Sequence, residues 1–122
     1  MATILNLKTL CDARGNLTVI ERVIPFEIKR IFYIYGVDES ERGRHRHRKT
    51  RQAAICIRGT CTIYNNDGDR EDTFVLDSPD KCLLLEPQDW HKMYAFSPDA
   101  ILMVLASEFF DPADYVYEEY PA

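Results

Sequence analysis

The sequence predicts an all-β fold. Almost every apolar stretch is short, rich in β-branched and aromatic residues, and bounded by turn-forming residues. The turn signals recur about every 8–12 residues, a spacing typical of a β-sandwich or a β-barrel. No internal repeat, linker or low-complexity stretch interrupts the 122 residues. This length corresponds to a single domain spanning residues 1–122.

The predicted elements follow in chain order. Strand-like segments cover residues 17–23, 28–35, 53–57, 61–64 and 101–105. The Asn-Asn-Asp-Gly sequence at 65–68 predicts a hairpin turn, because Asn and Gly tolerate the positive φ that such turns require. Asp111 and Pro112 supply a cap and a first-turn proline, which predicts a short C-terminal helical tail.

Composition and charge exclude several classes of protein. Fifteen basic against twenty acidic residues give a net charge of −5, whereas nucleic-acid binders usually present a basic domain. No apolar run approaches the roughly 18 residues that span a bilayer, and residues 1–8 lack the blocks of a signal peptide. We therefore expect a cytoplasmic protein without a nucleic-acid or membrane partner. Its four cysteines lack a Cys-x-x-Cys pair, so buried thiols are expected rather than disulfides or zinc ligands.

Residues 42–51 carry the chemistry. Six of the fifteen basic residues lie here, namely Arg42, Arg44, Arg46, Arg48, Lys49 and Arg51. If residues 44–49 form a strand, alternation places His45, His47 and Lys49 on one face and arginines on the other. Paired imidazoles suit proton transfer or metal binding, and guanidiniums suit a small anion. From these residues alone, a solvated basic edge strand that prevents aggregation is an equally good interpretation.

The spacing around the histidines resembles the two motifs of the cupin family. His45-x-His47, followed by Gln52 and Gly59, resembles the first motif, and residues 87–91, ending in His91, resemble the second. The resemblance implies a cupin fold, a double-stranded β-helix or jelly-roll barrel, with all three histidines in its site.

Two positions depart from the cupin motifs. Gln52 stands where the first motif has a glutamate, and Ala95 stands where the second has an asparagine. A divalent cation would find no anionic ligand here. We therefore expect no metal and acid–base use of the histidines, with a metal-dependent small-molecule cupin as an alternative.

A wider set of segments resembles the dTDP-4-oxo-6-deoxy-glucose 3,4-ketoisomerases, which are WxcM-like cupins. In order, they are Arg14-Gly15, residues 24–26 and 28–33, Arg42-Gly43-x-His45-x-His47, Gln52, residues 77–79, Trp90-His91 and residues 104–107. The resemblance implies a homodimer that needs no cofactor and moves a ketone from C4 to C3 of a dTDP-linked sugar. Apolar residues near the chain end, at 109–110 and 115–117, offer surface for the second copy.

The resemblance assigns the catalytic base to His47, and nearby cations should keep its imidazole uncharged. His45, Tyr33 and His91 are candidates to polarise or protonate the sugar oxygens. The substrate-binding set is Arg14, Arg30, Arg42, Arg44 and Gln52, with Arg46, Arg48, Lys49 and Arg51 in reserve for the diphosphate.

The pair Arg14 and His91 resembles the branch of the family that gives the galacto-configured product. Such a sugar would feed O-antigen lipopolysaccharide, S-layer or antibiotic glycosylation. Three further alternatives stay open: a dTDP-sugar 3,5-epimerase, which needs an aspartate beside the catalytic histidine, a nucleotide-sugar binding module and a nucleic-acid binder.

Overall fold

The computed structural model describes residues 1–121, which form twelve β-strands and one 3₁₀ turn. The strands are β1 (Thr3–Asn6), β2 (Lys8–Asp12), β3 (Gly15–Val19), β4 (Arg30–Ile34), β5 (Arg42–His47), β6 (Gln52–Arg58), β7 (Cys61–Asn66), β8 (Glu71–Leu76), β9 (Lys81–Leu85), β10 (Trp90–Tyr94), β11 (Ile101–Ala106) and β12 (Tyr115–Val116). One antiparallel sheet has the order β1-β9-β6-β11-β4 and a second the order β12-β5-β10-β7-β8. Strands β2 and β3 form a separate hairpin. The predicted all-β fold is confirmed.

The core lies between the two five-stranded sheets. Ile63 of the second sheet packs with Leu83 and Leu102 of the first, and all three are fully buried. Burial of side chains of this size provides most of the stabilisation of such a sandwich, at roughly 25 cal/mol per Å² of apolar surface. The two sheets therefore hold each other, and any site between them is built from both.

The first sheet is buried on its other face as well. Residues Ile20, Ile24 and Phe26, in the segment that follows β3, pack against the central strands β6 and β11. Strand β6 is consequently covered on both sides, which explains why its sequence is a continuous apolar run rather than an alternating one.

The five predicted strands correspond to β3, β4, β6, β7 and β11. Strand β3 ends at Val19, four residues before its predicted end, because the chain leaves the hairpin there to cover the first sheet. Strands β1, β2, β8, β9 and β10 were not predicted. Charged and small polar residues in most of these strands obscure their alternation, and sheet pairing stabilises them instead.

The predicted helical tail is wrong. Asp111 does act as a cap, since its Oδ1 accepts a hydrogen bond from the Ala113 amide at 3.0 Å. However, the turn spans only Pro112–Asp114 and is a 3₁₀ turn. The chain then becomes extended, because Tyr115 and the next residue pair with β5 opposite His47 and Arg46. Sheet pairing therefore overrides the local helix signal.

Three of the four cysteines are buried thiols as expected, but Cys11 is exposed on β2. All four are unpaired. Within residues 1–121, no helix has the length and apolar character needed to cross a bilayer.

Candidate active site

A cavity of about 280 Å³ opens between the two sheets, near the lower end of the range found for ligand pockets. Polar groups from five strands converge on it, those of Arg30, Arg42, His45, Gln52, His91 and Tyr115. Apolar side chains such as Phe32 and Val104 form the remaining wall. The cavity thus combines convergent polar groups with an apolar lining, as binding and catalytic sites do.

A β-bulge in β5 decides which side chains face this cavity. His45 pairs with His91 of β10, but the next β10 residue, Lys92, pairs with Gly43, so Arg44 is an extra residue. Gly43 and Arg44 have positive φ angles of 84° and 61°. An extra residue reverses the alternation of side chains before it. Arg42 consequently lies at the cavity mouth on the same side as His45.

The bulge also requires glycine at position 43. A Cβ atom there would lie 3.2 Å from the carbonyl oxygen of His91 and 3.2 Å from the side chain of Met93. Strands β5 and β10 therefore approach closely beside the histidines, and the positive φ adds a second reason for glycine.

The three histidines of the chain form one cluster. Their ring centroids are 4.9 Å apart for His45 and His47, 5.1 Å for His45 and His91, and 6.1 Å for His47 and His91. Nδ1 of His45 lies 3.0 Å from the carbonyl oxygen of Gly43, and Nδ1 of His91 lies 3.0 Å from that of Asp89. Since a carbonyl only accepts, both rings carry their proton on Nδ1, and Nε2 is the acceptor when the ring is neutral.

Burial keeps these imidazoles uncharged at neutral pH. It lowers the pKa of His47 to about 4, with smaller contributions from the nearby His45 and Arg30, while Asp114 opposes the change. Burial likewise lowers the pKa of His91 to about 3, together with the proximity of His45, and lowers the pKa of His45. The neutral state of His47 therefore depends mainly on burial, and less on nearby cations than the sequence predicted.

Two cationic side chains at the cavity are not neutralised by carboxylates. Within residues 1–121, neither Arg30 nor Arg42 has a carboxylate oxygen within 4.0 Å. The Arg30 guanidinium lies over the rings of Phe32, at 4.7 Å, and Phe110, at 5.2 Å. These rings hold it in place without cancelling its charge. The cavity is therefore suited to an anionic ligand.

Two of the predicted substrate-binding arginines lie away from the cavity. Arg44, as the extra residue of the bulge, lies outside the cavity and pairs with Glu41 at 2.7 Å and Glu119 at 2.9 Å. Arg14 lies on the β2–β3 hairpin, where its side chain is 90% exposed and pairs with Asp12 at 2.6 Å. Within one chain, neither joins the histidines.

The reserve residues are used elsewhere. Arg46 lies over the ring of Tyr120, Arg48 donates to the carbonyl oxygen of Ala113, and Arg51 forms a two-point ion pair with Glu86. Lys49 is exposed and lies beyond the end of β5 at His47. The predicted face of His45, His47 and Lys49 therefore contains only the two histidines.

Tyr33 and Gln52 occupy opposite environments. Gln52 is buried in the cavity wall, whereas Tyr33 lies at the rim with its side chain largely exposed and stacked on Tyr35, ring centroids 5.8 Å apart. A ligand that fills the cavity would reach the amide directly and would meet the tyrosine at the mouth.

The cavity residues do not fit a metal ion. In residues 1–121, no three His, Cys, Asp or Glu side chains form a group with metal-binding geometry. A metal ion held by the three histidines would need a carboxylate as its fourth ligand to offset its charge. Gln52 stands at that position, and its amide is neutral.

Two residues of the site were not predicted from the sequence. The Tyr115 ring lies 4.7 Å from that of His45 and 4.8 Å from that of His47. The buried carboxylate of Asp114 accepts hydrogen bonds from the amides of Arg48, at 3.1 Å, and Lys49, at 2.8 Å, and from the Thr50 hydroxyl. The sequence signal at this point, Asp-Pro followed by aromatic residues, was interpreted as a helix cap and an apolar surface.

Comparisons with known proteins identify the family of the chain. The family model FdtA: WxcM-like, C-terminal, matches residues 1–121. The chain is 41% identical over 116 residues to a TDP-4-oxo-6-deoxy-alpha-D-glucose-3,4-oxoisomerase from Aneurinibacillus thermoaerophilus, covering 93% of this chain and 84% of that protein.

The chain is also similar to solved structures of 3,4-ketoisomerases. The WlaRB TDP-quinovose 3,4-ketoisomerase from Campylobacter jejuni has a TM-score of 0.91 and 40% identity, over 96% of this chain and 92% of that one. A His-to-Asn mutant of the 3,4-ketoisomerase QdtA from Thermoanaerobacterium thermosaccharolyticum, in complex with TDP-4-keto-6-deoxyglucose, has a TM-score of 0.91 and 37% identity, over 96% and 87%. The chain belongs to the FdtA family of WxcM-like proteins, as the sequence resemblance predicted.

Proposed function

We propose that the protein is a sugar-nucleotide 3,4-ketoisomerase that converts dTDP-4-oxo-6-deoxyglucose to a dTDP-3-oxo-6-deoxyhexose. The observation that carries the proposal is one cavity lined by the imidazoles of His45 and His91, with the buried ring of His47 packed against both. The same cavity holds Arg30 and Arg42, which have no carboxylate partner within residues 1–121. The reaction needs a base for a carbon acid, and the substrate is a diphosphate. The similarity to oxoisomerases of TDP-linked sugars supports the same activity.

His47 removes the proton from C3 of the sugar. The electrons of the C3–H bond form a C3=C4 double bond, and the C4 oxygen takes a proton from the Tyr33 hydroxyl, giving an enediol. His45 or His91 then removes the proton from the C3 oxygen, the carbonyl forms at C3, and C4 takes a proton from the protonated His47, whose N–H exchanges with solvent. The proton on His45 or His91 returns to Tyr33 through solvent, so each group regains its starting state. A ring with a pKa of about 4 is free to accept at neutral pH and returns its proton readily.

The hydrogen bonds of His45 and His91 support a role for them other than polarising the ketone. With Nδ1–H donated to backbone carbonyls, Nε2 of His45 and His91 accepts, which suits removal of the hydroxyl proton at C3. Hydrogen bonds to the C4 oxygen then come from the Gln52 amide and, at the rim, the Tyr33 hydroxyl. Such donors contribute about 10²–10³-fold each where they meet developing charge.

Arg30 and Arg42 bind the diphosphate at the mouth of the cavity. Guanidiniums bind phosphate oxygens in a planar, two-point arrangement. No step of this mechanism uses a metal, because the donor set around the histidines is neutral and the C4 oxygen is polarised by protein groups.

The same proposal includes a homodimer. On the β2–β3 hairpin, Leu10 and Leu17 are 53% and 57% exposed, and on β4 Ile31 is 57% exposed. A second copy that covers the hairpin would move Arg14 from solvent to a subunit interface. The galacto configuration at C4, which the pair Arg14 and His91 indicates, then requires that Arg14 reach the cavity of the other copy.

The test is incubation of the protein with dTDP-4-oxo-6-deoxyglucose in D₂O, followed by NMR of the product. We expect a 3-oxo sugar that carries deuterium at C4 with an axial C4 hydroxyl, and full activity after dialysis against a chelator. An equatorial hydroxyl would contradict the galacto assignment alone. Deuterium at C3 and C5 with the carbonyl still at C4 would instead identify a 3,5-epimerase, and loss of activity on chelation would contradict the metal-free mechanism.

A further inference from the structure

We infer that Tyr115 is a positioning residue of this site, whose ring fixes the orientation of His45 and His47 and keeps water away from His47. The inference rests on the proposed function for its kinetic consequences. The shielding of His47 is measurable without any substrate.

The Tyr115 ring contacts both imidazoles at once. Its centroid lies 4.7 Å from that of His45, with the planes tilted by 57°, and 4.8 Å from that of His47, at 67°. Edge-to-face pairs of this kind contribute to stability beyond their buried area. Tyr115 is half-buried and lines the cavity, and within residues 1–121 its hydroxyl forms no hydrogen bond. Its contact with the imidazoles is therefore made by the ring.

The position of Tyr115 is itself fixed by the backbone. Tyr115 is the cross-strand partner of His47. The preceding residue, Asp114, accepts the amide of Arg48 on its carbonyl oxygen at 2.8 Å, in addition to the bonds made by its carboxylate. Phe110 also contacts the Tyr115 ring, edge to face, with centroids 5.8 Å apart. The backbone pairing and this contact together hold the ring beside β5.

Removal of the ring would change the surroundings of His47 in a defined way. The titratable and charged groups that face His47 are His45 on the same strand, His91 from β10, Arg30 from β4, and Asp114 from the 3₁₀ turn. Tyr115 covers it from β12. Since burial is the main cause of the low pKa of His47, admitting water at the position of Tyr115 should raise that pKa.

The experiment measures histidine titration by NMR in the free enzyme. With three histidines in the chain, the ring signals are assignable from single histidine substitutions. In Tyr115→Ala we expect the His47 signal to titrate at least about one pH unit higher than in the unsubstituted protein. Tyr115→Phe, which keeps the ring, should leave it unchanged. Tyr117→Ala is the matched neighbour: its ring stacks on Tyr115 and lies 6.2 Å from that of His45, but it is 67% exposed and does not line the cavity.

Kinetics supply the second measurement. Tyr115→Ala should lower kcat about tenfold or more with KM changed by less than about threefold, and should move the acidic limb of kcat/KM upward. Tyr115→Phe and Tyr117→Ala should leave kcat and the acidic limb of kcat/KM unchanged. If Tyr115→Ala does not fold, Tyr115→Leu is measured instead, since it keeps apolar volume but not the ring.

Unchanged His47 titration in the ring-deleted variant would overturn the inference. So would an equal loss of kcat in Tyr115→Phe, which would show that the hydroxyl acts chemically. If the unsubstituted protein failed to isomerise the sugar, the proposed function would fall, while the NMR titration would still decide the shielding of His47.

Discussion

His45 and His91 are direct cross-strand partners in the β5–β10 pair, and their ring centroids lie 5.1 Å apart. Each ring is held by a hydrogen bond of 3.0 Å from Nδ1 to a backbone carbonyl two residues earlier. This arrangement directs two acceptor nitrogens away from the backbone and fixes the tautomer of both rings. The bulge at Gly43 and Arg44 shifts the register of the β5–β10 pair by one residue and turns Arg42 to the same side. The arrangement of the proposed acid–base groups and of Arg42, a proposed anion-binding group, thus includes a single irregularity of the sheet.

The substitution His47→Asn should remove turnover while nucleotide binding survives. Loss of the general base should lower kcat by at least about 10³-fold. The affinity for dTDP, measured by calorimetry, should stay within about twofold, because the arginines that bind the diphosphate are unchanged. Lys49→Ala, an exposed change just beyond β5, is the control and should keep full activity. Normal turnover in His47→Asn would refute its role as the base.

Substitution of Arg30 should weaken binding of the nucleotide without unfolding the protein. Loss of a charged hydrogen-bonding partner of phosphate corresponds to about a 10- to 100-fold weaker dTDP affinity in Arg30→Ala. Calorimetric titration with dTDP measures this directly. Arg58→Ala is the matched control, since Arg58 is 69% exposed, pairs with Asp99 and does not line the cavity. Equal affinities in the two variants would place the diphosphate elsewhere.

Stability should fall as the pH drops from about 6.5 toward 4. The pKa of His47 is lowered to about 4 and that of His91 to about 3 in the folded protein, so the unfolded chain binds more protons in this range. Each such group removes about 1.4 kcal/mol of unfolding free energy per pH unit below the ordinary pKa near 6.5. Urea unfolding at several pH values gives the slope, and His47→Asn should make it shallower by one proton. An unchanged slope in that variant would show that His47 titrates normally in the folded state.

Replacing Ala95 should stabilise the protein. Ala95 is exposed and has a positive φ of 52°, a conformation that glycine and asparagine adopt more readily than alanine. We expect Ala95→Gly and Ala95→Asn to raise the free energy of unfolding by about 0.5–1 kcal/mol. Ala113→Gly is the control: Ala113 is also exposed but does not have a positive φ, so glycine there should destabilise. Thermal unfolding of the three variants tests the prediction. If Ala113→Gly were also stabilising, the gain could not be attributed to the positive φ at position 95.

A charge on the β2–β3 hairpin should dissociate the proposed dimer. We expect the unsubstituted protein to have twice the 14.2 kDa mass of the chain in light scattering. Leu17→Glu should have the mass of one chain, because a carboxylate cannot be buried in an apolar interface without a partner. The same change at Val75, which is 51% exposed on β8 of the other sheet, should leave the dimer intact. A monomeric unsubstituted protein would remove the basis for placing Arg14 near a second cavity.

Several features followed from the sequence because they depend on local composition or on spacing. Short apolar segments and turn signals predicted an all-β chain, although the hairpin predicted at 65–68 turns at 67–70, because Asn65 and Asn66 belong to β7. The resemblance of the histidine spacing to the cupin motifs predicted that His45, His47 and His91 share a site. Alternation along β5 is a local property, so it could be predicted that His45 and His47 lie on one face of the strand.

Only the tertiary structure decided which other groups join them. The sequence does not reveal the bulge at Arg44, so it could not show that Arg42 turns inward while Arg44 faces Glu41. Tyr115 reaches the histidines because β12 pairs with β5 across about 70 residues of chain, and long-range pairing overrode the local signal for a helix. The low pKa of His47 likewise arises from burial by strands distant in sequence. Residue types and spacing therefore indicated the kind of chemistry, whereas sheet register determined which side chains lie together in the cavity.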